Sequence, residues 1–286
     1  MKTNKSKAII CILISAMGFA SMNLFVRLSG DVPSIQKAFF RNLVAFFVAF
    51  FVLLKNRTPI KAPKGSLKYL FIRSASGTVG IFANFYAVDH LAISDASLLN
   101  KLSPFFAIIL SGIILKEKAS KKQAACIVVA FLGLMLVVKP GFNTQSLTPY
   151  IIGMIGGLGA GTAYTMIRLL GRFKTPGPFI VFFFSGFSCL VSVPFFAFIY
   201  AHMSVGQVGL LFLAGICASI AQFAITAAYK FAPAGEISIV EYTQIIFSAI
   251  LGFFFLDQVP DILCFAGYAI IIAAAAVNTF SKKTGN

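Results

Sequence analysis

Acidic side chains are scarce in this sequence: 8 Asp and Glu stand against 24 Lys and Arg in 286 residues, and charged residues of both signs make up only 11%. A soluble domain carries about 25%, so an ordinary water-soluble globule is excluded. Tryptophan is absent, which excludes an aromatic box built on indole. The five cysteines, Cys11, Cys126, Cys189, Cys217 and Cys264, fall in separate apolar runs with no CxxC pair, so they read as small packing residues and not as metal or redox centres. Two histidines, His90 and His202, lie far apart in sequence. No Gly-rich loop is followed by Lys-Ser or Lys-Thr, so no nucleotide-hydrolysing motif is present. Disorder is excluded too, because it needs low hydrophobicity and high net charge, and mean hydropathy here is +0.92.

What the chain has is apolar length, with 59% hydrophobic residues. A bilayer core of about 30 Å takes about 20 helical residues to cross, and runs near that length fall at 8–29, 36–54, 67–88, 92–115, 121–139, 149–171, 178–200, 206–229, 234–256 and 260–280. Strands of a membrane barrel would alternate apolar and polar residues, whereas the run AFFVAFFVLL at 45–54 does not. Ten transmembrane helices are therefore expected. The MKTNKSK start belongs to the first of these helices, uncleaved, because the apolar run is too long for a secretory signal and lacks a small-residue cleavage site.

The net charge of +16 would suit nucleic acid in a soluble protein, but most of the basic residues sit in short gaps between apolar runs. There they set orientation and meet lipid head groups. Seventeen fall on one side: Lys2, Lys5 and Lys7, then the groups at 55–68, 116–122 and 172–174, then Lys230, Lys282 and Lys283. Only Lys37 and Lys139 fall on the other. Both termini are expected in the cytoplasm.

The halves repeat. Gly18, Arg27, Leu28 and Gly30 match Gly159, Arg168, Leu169 and Gly171 at a spacing of 141, and Ser111-Gly112 aligns with Leu251-Gly252 at 140. The gap at Lys139, Pro140 and Gly141 ends the fifth helix near the midpoint, giving domains 1–140 and 141–286. A unit with an odd number of crossings enters the membrane in opposite senses in its two copies, the inverted plan of many secondary transporters.

FFRN at 39–42, NFYA at 84–87, SPFFAIILSGIILKE at 103–117, AYKFAPA at 228–234 and EYTQIIFSAILGFFFLD at 241–257 resemble the drug/metabolite transporter superfamily, in the ten-helix type built from two EamA domains. The resemblance implies a bacterial inner-membrane carrier in which helices 1–4 and 6–9 surround a central cavity while 5 and 10 stay peripheral. Many relatives carry Trp-Gly in the first helix where this chain has Phe19-Ala20.

Ionisable residues inside spans are costly and usually face protein or a water-filled cavity. Lys101 shares a face of the fourth span with Ser94, Ser97 and Pro104. Glu241 does so in the ninth with Ser238, Gln244 and Ser248. The third span carries Arg73, Gly77, Gly80 and Asn84, and the eighth Ser219, Gln222 and Thr226. At about 1.5 Å per residue, Lys101 lies about 13 Å from the outer face and Glu241 about 10 Å from the inner one. Pro104 leaves the carbonyl of Asn100 without its usual donor, a broken-helix feature beside Lys101. The candidate substrate-binding set is Asn23, Phe39, Arg41, Arg73, Asn84, Lys101, Gln222, Glu241, Tyr242 and Gln244, with Phe85 beside the stripes and Lys101 and Glu241 as candidate coupling residues.

Structural readings stand beside these. Lys101 and Glu241 also suit a buried ion pair that docks the two halves. Arg41 and Arg73 also suit snorkelling. Arg27 and Arg168 read as interface anchors, Asp95 and Glu236 as helix N-terminal acids, and Tyr69, Tyr150, Tyr200 and Tyr229 as an interfacial belt. Gly153, Gly156, Gly157, Gly159 and Gly161 read as a close-packing helix face.

The expected function is secondary transport of a small polar metabolite, an amino acid or similar zwitterion, because Arg41, Arg73 and Lys101 outnumber the deep acid Glu241. A cationic compound such as S-adenosylmethionine is the alternative, since some relatives in the superfamily are similar to carriers of it. A membrane-embedded lipid-modifying enzyme with a metal at Asp257 and Asp261 is the remote one, as two carboxylates four residues apart at a helix connection are usually solvated. No cofactor, metal or nucleic acid is expected; the partners are the substrate and the bilayer, and a homodimer is compatible with the chain. Single-cysteine labelling in a Cys-free background tests the orientation: Lys61→Cys should be protected from an impermeant maleimide in intact cells and Gln258→Cys reactive. The reverse pattern would overturn the charge argument.

Overall fold

The computed structural model describes residues 4–91, 93–139, 146–198 and 200–280, apart from the side chains at 85, 88, 89, 93–95, 196 and 197. Lys2, Pro140, Gly141, Lys282 and Lys283, and the side chains of Phe85, Ser94 and Asp95, lie outside the described residues. The chain is all-helical there. Its helices are α1 (Lys5–Leu28), α2 (Ser34–Lys55), α3 (Leu67–His90), α4 (Ile93–Asn100), α5 (Ser103–Ile114), α6 (Lys121–Val138), α7 (Thr148–Arg172), α8 (Gly177–Phe198), α9 (Val205–Phe231), α10 (Ala234–Ile237), α11 (Thr243–Leu256) and α12 (Ile262–Phe280).

Nine segments among the described residues are long and apolar enough to cross a membrane. The 24-residue α3 makes the tenth by length; Arg73 and its Ser, Thr and Asn residues dilute its apolarity. We call the end where the Lys/Arg-rich connections gather the basic end, and the other the far end.

Two of the ten spans are not continuous helices. The fourth divides into α4 and α5 at Lys101-Leu102, where the Leu102 N–H donates to Leu99 in a 3₁₀ bond of 3.1 Å. Pro104 in the first turn of α5 accounts for it, having no N–H to donate. The ninth divides into α10 and α11 through a 3₁₀ turn at Ser238–Tyr242. No proline lies inside that turn, so its break is not marked in the sequence. It is held from outside, by bonds described below.

The packing is two-fold in plan. α1 lies against α9 as α7 lies against α3, α5 against α7 as α11 against α1, and α6 pairs with α12. Glycines set these crossings. A Cβ on Gly159 would stand 2.6 Å from the Ser76 carbonyl, and one on Gly161 2.8 Å from that of Ser103. The α6–α12 pair crosses where Gly133 and Gly267 each face the other's carbonyl. The five-helix halves are thus inverted copies around a common centre.

The core is not shared equally between the ends. Ile12, Leu53, Leu70, Ile167, Leu170 and Ile225 belong to one buried cluster, and each lies in the half of its helix nearer the basic end. The bundle is packed solid there and opens at the far end. Burying side chains of this size contributes about 1.5–3 kcal/mol each.

Gly159→Ala should cost about 1–3 kcal/mol, because its new methyl meets backbone that cannot yield. Gly112, also helical, has nothing within 4 Å of a built Cβ, so Gly112→Ala should be neutral or stabilising by up to about 1 kcal/mol. Thermal unfolding in detergent compares them; equal melting temperatures would overturn the crossing argument.

Candidate functional site

A cavity of about 530 Å³ runs from the middle of the bundle to the far ends of α1 and α2. Its wall comes from spans 1–4 and 6–9, and neither α6 nor α12 contributes. Polar side chains reach it from α3 (Arg73 and Asn84, with Gly77 and Gly80 also on the wall), α4 (Ser97 and Asn100), the two breaks (Lys101 and Glu241) and α11 (Gln244), whereas Pro104, Ser219, Thr226, Ser238 and Ser248 of the expected stripes do not line it.

Eight of the ten candidate binding residues lie on this wall: Asn23, Arg41, Arg73, Asn84, Lys101, Gln222, Glu241 and Gln244. Two do not. Phe39 packs edge-on against Phe40, with ring centroids 5.9 Å apart. Tyr242 is buried behind the wall, and its hydroxyl donates to the Lys101 carbonyl at 3.1 Å. The reason is rotational: neighbouring residues point about 100° apart on an α-helix and about 120° apart on a 3₁₀ turn, so Tyr242 cannot share the face of its neighbour Glu241.

Arg73 is buried and held by two contacts. Only 2% of it is exposed, its guanidinium carbon lies 3.8 Å from the centroid of the Phe184 ring, and Nη2 donates to Gln222 Oε1 at 3.2 Å. Gly77, one turn on, leaves room for it, since a Cβ there would stand 2.6 Å from Nη1. The Nε atoms of both Arg73 and Arg41 are buried without a partner, and among the described residues neither arginine forms an ion pair.

Lys101 and Glu241 are not in ion-pair contact. The Lys101 ammonium donates to Gln244 Oε1 at 2.6 Å, and Glu241 accepts from the Tyr229 hydroxyl. Tyr229 corrects the sequence reading: it is fully buried and stacks on Tyr164, with ring centroids 4.9 Å apart. It stands at a span end, but α7 covers it instead of lipid. Tyr164 and Phe184, both on the cavity wall, escaped the sequence reading because aromatic residues are common throughout the chain and nothing local separates these two.

Arg168 is also no interface anchor. It is 4% exposed, and its Nε and Nη2 hold the Glu117 carboxylate at 3.0–3.2 Å. Arg172 Nη2 donates to the same carboxylate at 2.9 Å and to the Leu115 carbonyl at 3.0 Å. Arg168 Nη1 reaches the Lys230 carbonyl at 3.0 Å, and the Lys230 ammonium the Thr175 carbonyl at 2.7 Å. This cluster ties the α5–α6 connection to the ends of α7 and α9, closing the basic end. Its repeat mate Arg27 stands instead on the cavity wall. At the far end Asp261, one of the two carboxylates considered for a metal, pairs with Lys139.

Ten spans in two inverted halves around a cavity lined by polar side chains are the frame of a membrane transporter, and the comparisons with known proteins agree. The chain belongs to the EamA-like transporter family, whose sequence model matches residues 6–139 and again 147–280. It is 29% identical to the pseudopaline exporter CntI of Pseudomonas aeruginosa over 98% of both chains. It is 25% identical to an uncharacterized transporter of Helicobacter pylori, covering 92% of this chain and 91% of that one. It is 26% identical to solute carrier family 35 member G1 of Homo sapiens, covering 95% and 78%. A solved crystal structure shares the fold with a TM-score of 0.86 at 16% identity, over 96% of this chain and 97% of that one.

The closed end should be acid-sensitive. Burial pushes the Glu117 carboxyl up, but hydrogen bonds from Arg168 and Arg172 outweigh this and hold it below its ordinary 4.5. A depressed carboxylate stabilises the fold above its unfolded value, and that contribution is lost as pH falls through the folded one. Stability of the wild type should therefore fall as pH drops below 4.5, more steeply than that of Glu117→Gln. Parallel pH profiles of melting temperature would overturn this.

Proposed function

We propose that the chain is a secondary carrier of the inner membrane that moves a small zwitterionic metabolite, an amino acid or a relative of one, by alternating access. The observation that carries this reading is the pair of guanidinium groups, Arg41 and Arg73, on the cavity wall with no acid among the described residues to neutralise them. An arginine in a low-dielectric site costs several kcal/mol unless paired, and a substrate carboxylate supplies the missing partner through bidentate, charge-assisted bonds. Arg27, Lys37 and Lys101 add further positive charge to the wall, and among the described residues Glu241 is the one acid on it, suited to a substrate amine. This balance repels a large cation and disfavours the S-adenosylmethionine alternative. The pseudopaline exporter supports solute export as a direction of flux.

With the basic end in the cytoplasm, the cavity opens outward. Lys101 and Glu241, each at a helix break in its own half, are the coupling residues of this reading; they exchange Gln244 and Tyr229 for other partners as the carrier turns over.

A thermal-shift screen against metabolites, followed by uptake into proteoliposomes, tests the proposal, since a ligand bound only by the folded form raises its stability. Zwitterions bearing a carboxylate should stabilise the protein. Each charged hydrogen bond is worth about 1.5–3 kcal/mol, so Arg73→Met and Arg41→Met should each weaken binding by roughly tenfold or more. Stabilisation by large cations alone would overturn the substrate class. The double variant Lys101→Met with Glu241→Gln should fold and lose transport; full transport by it would move the site to Arg41, Asn84 and Gln222.

A further inference from the structure

The cluster that closes the basic end has an unformed counterpart at the far end. The two matched segments are displaced by 141 residues, and on that register Arg168 corresponds to Arg27 and Glu117 to Gln258. The backbone carries the same correspondence. The Glu117 N–H donates to the Ser111 carbonyl at 3.2 Å and the Gln258 N–H to the Gly252 carbonyl at 3.1 Å, each six residues back. Each follows a residue in the left-handed region, Lys116 at φ 57° and Asp257 at φ 53°. The same helix ending has thus been built at both ends of the bundle. At the basic end an arginine is docked on it; at the far end Arg27 is exposed, and among the described residues neither it nor Asp257 forms an ion pair.

We propose that Arg27 is the arginine of a second, alternating latch: when the carrier closes its far end, Arg27 docks on the turn at Asp257 and Gln258 as Arg168 now docks on Glu117. This inference rests on the alternating-access reading. The two latches are unequal, and the difference lies in two positions. Glu117 presents a full carboxylate to two arginines, whereas its counterpart Gln258 presents a neutral amide, with the acid Asp257 one residue earlier, where the basic end has Lys116. The counterpart of Arg172 is Asp31, an exposed acid on the α1–α2 connection, so the second arginine is missing as well. A carboxylate shared by two guanidinium groups outweighs one arginine on an amide. The resting carrier therefore keeps its basic end shut and its cavity open at the far end, the state seen here.

The test reads the opening directly and needs no substrate. In the full-length Cys-free chain, Ser97→Cys places a thiol on the cavity wall, where an impermeant maleimide reaches it from the far side. Gln258→Glu should strengthen the far latch and slow labelling several-fold. Glu117→Gln should slow it too, by loosening the basic end. Adding Arg27→Met to Gln258→Glu should restore the original rate. Unchanged labelling in Gln258→Glu, or slowing that persists without Arg27, would overturn the proposal. If Glu117→Gln does not fold, the Gln258→Glu and Arg27→Met comparison decides it. Proteoliposome uptake tests the carrier reading separately, so a wild type that transports while labelling ignores these variants would sink the latch alone.

Discussion

Inside hydrocarbon a peptide group has no water to fall back on, and each one left without a partner costs several kcal/mol. That constraint explains why eight spans are continuous helices and why the two that are not, the fourth and the ninth, break where protein supplies the missing bonds. The Tyr242 hydroxyl takes the Lys101 carbonyl at one break. At the other, the Thr243 hydroxyl takes the Val240 carbonyl at 2.7 Å, and the Asn278 amide reaches the carbonyls of Gly235 and Glu236 at 3.4 and 3.3 Å. The second half thus supplies these side chains at both breaks, and the breaks let Lys101 and Glu241 reach the cavity from interrupted backbone. Removing the breaks would remove the site.

Between spans the attraction is van der Waals contact and not the hydrophobic effect, because lipid tails are as apolar as the side chains they would be replacing. Glycine crossings supply that contact at α3–α7 and α6–α12. They fix which helices pair, and the inverted repeat duplicates the choice. The symmetry is then broken by where the large apolar residues fall and by the Glu117 cluster, so one end is packed and the other is open. Two halves of one design thus stand in two different arrangements, the asymmetry that the proposed alternating-access cycle would exchange.

Charge decides what such a cavity holds. Arg73 is oriented by Gln222 and Phe184 and given room by Gly77, so its position is set by the fold, ahead of any ligand of the proposed kind. Preorganisation of this kind lowers the cost of binding, because the side chain has no freedom left to lose.

The ten spans, the helical class, the halves and the polar stripes were legible in the sequence because the bilayer imposes a length and a hydropathy on each span separately, and a local rule leaves a local trace. Lys101, Glu241, Arg73 and Asn84 could be chosen for the same reason: a polar residue in an apolar run is visible without knowing its neighbours. The break at Ser238–Tyr242, the burial of Tyr229 and the partnership of Arg168 with Glu117 were not legible. Each depends on a group brought from a different helix: Tyr229 and Asn278 at the break, Tyr164 over Tyr229, and Arg168 on Glu117, 51 positions away. Sequence by itself determined which residues must avoid lipid; only the tertiary structure decided which of them meet each other and which meet the cavity, because pairing across helices is set by crossing geometry, and crossing geometry is a property of two surfaces together.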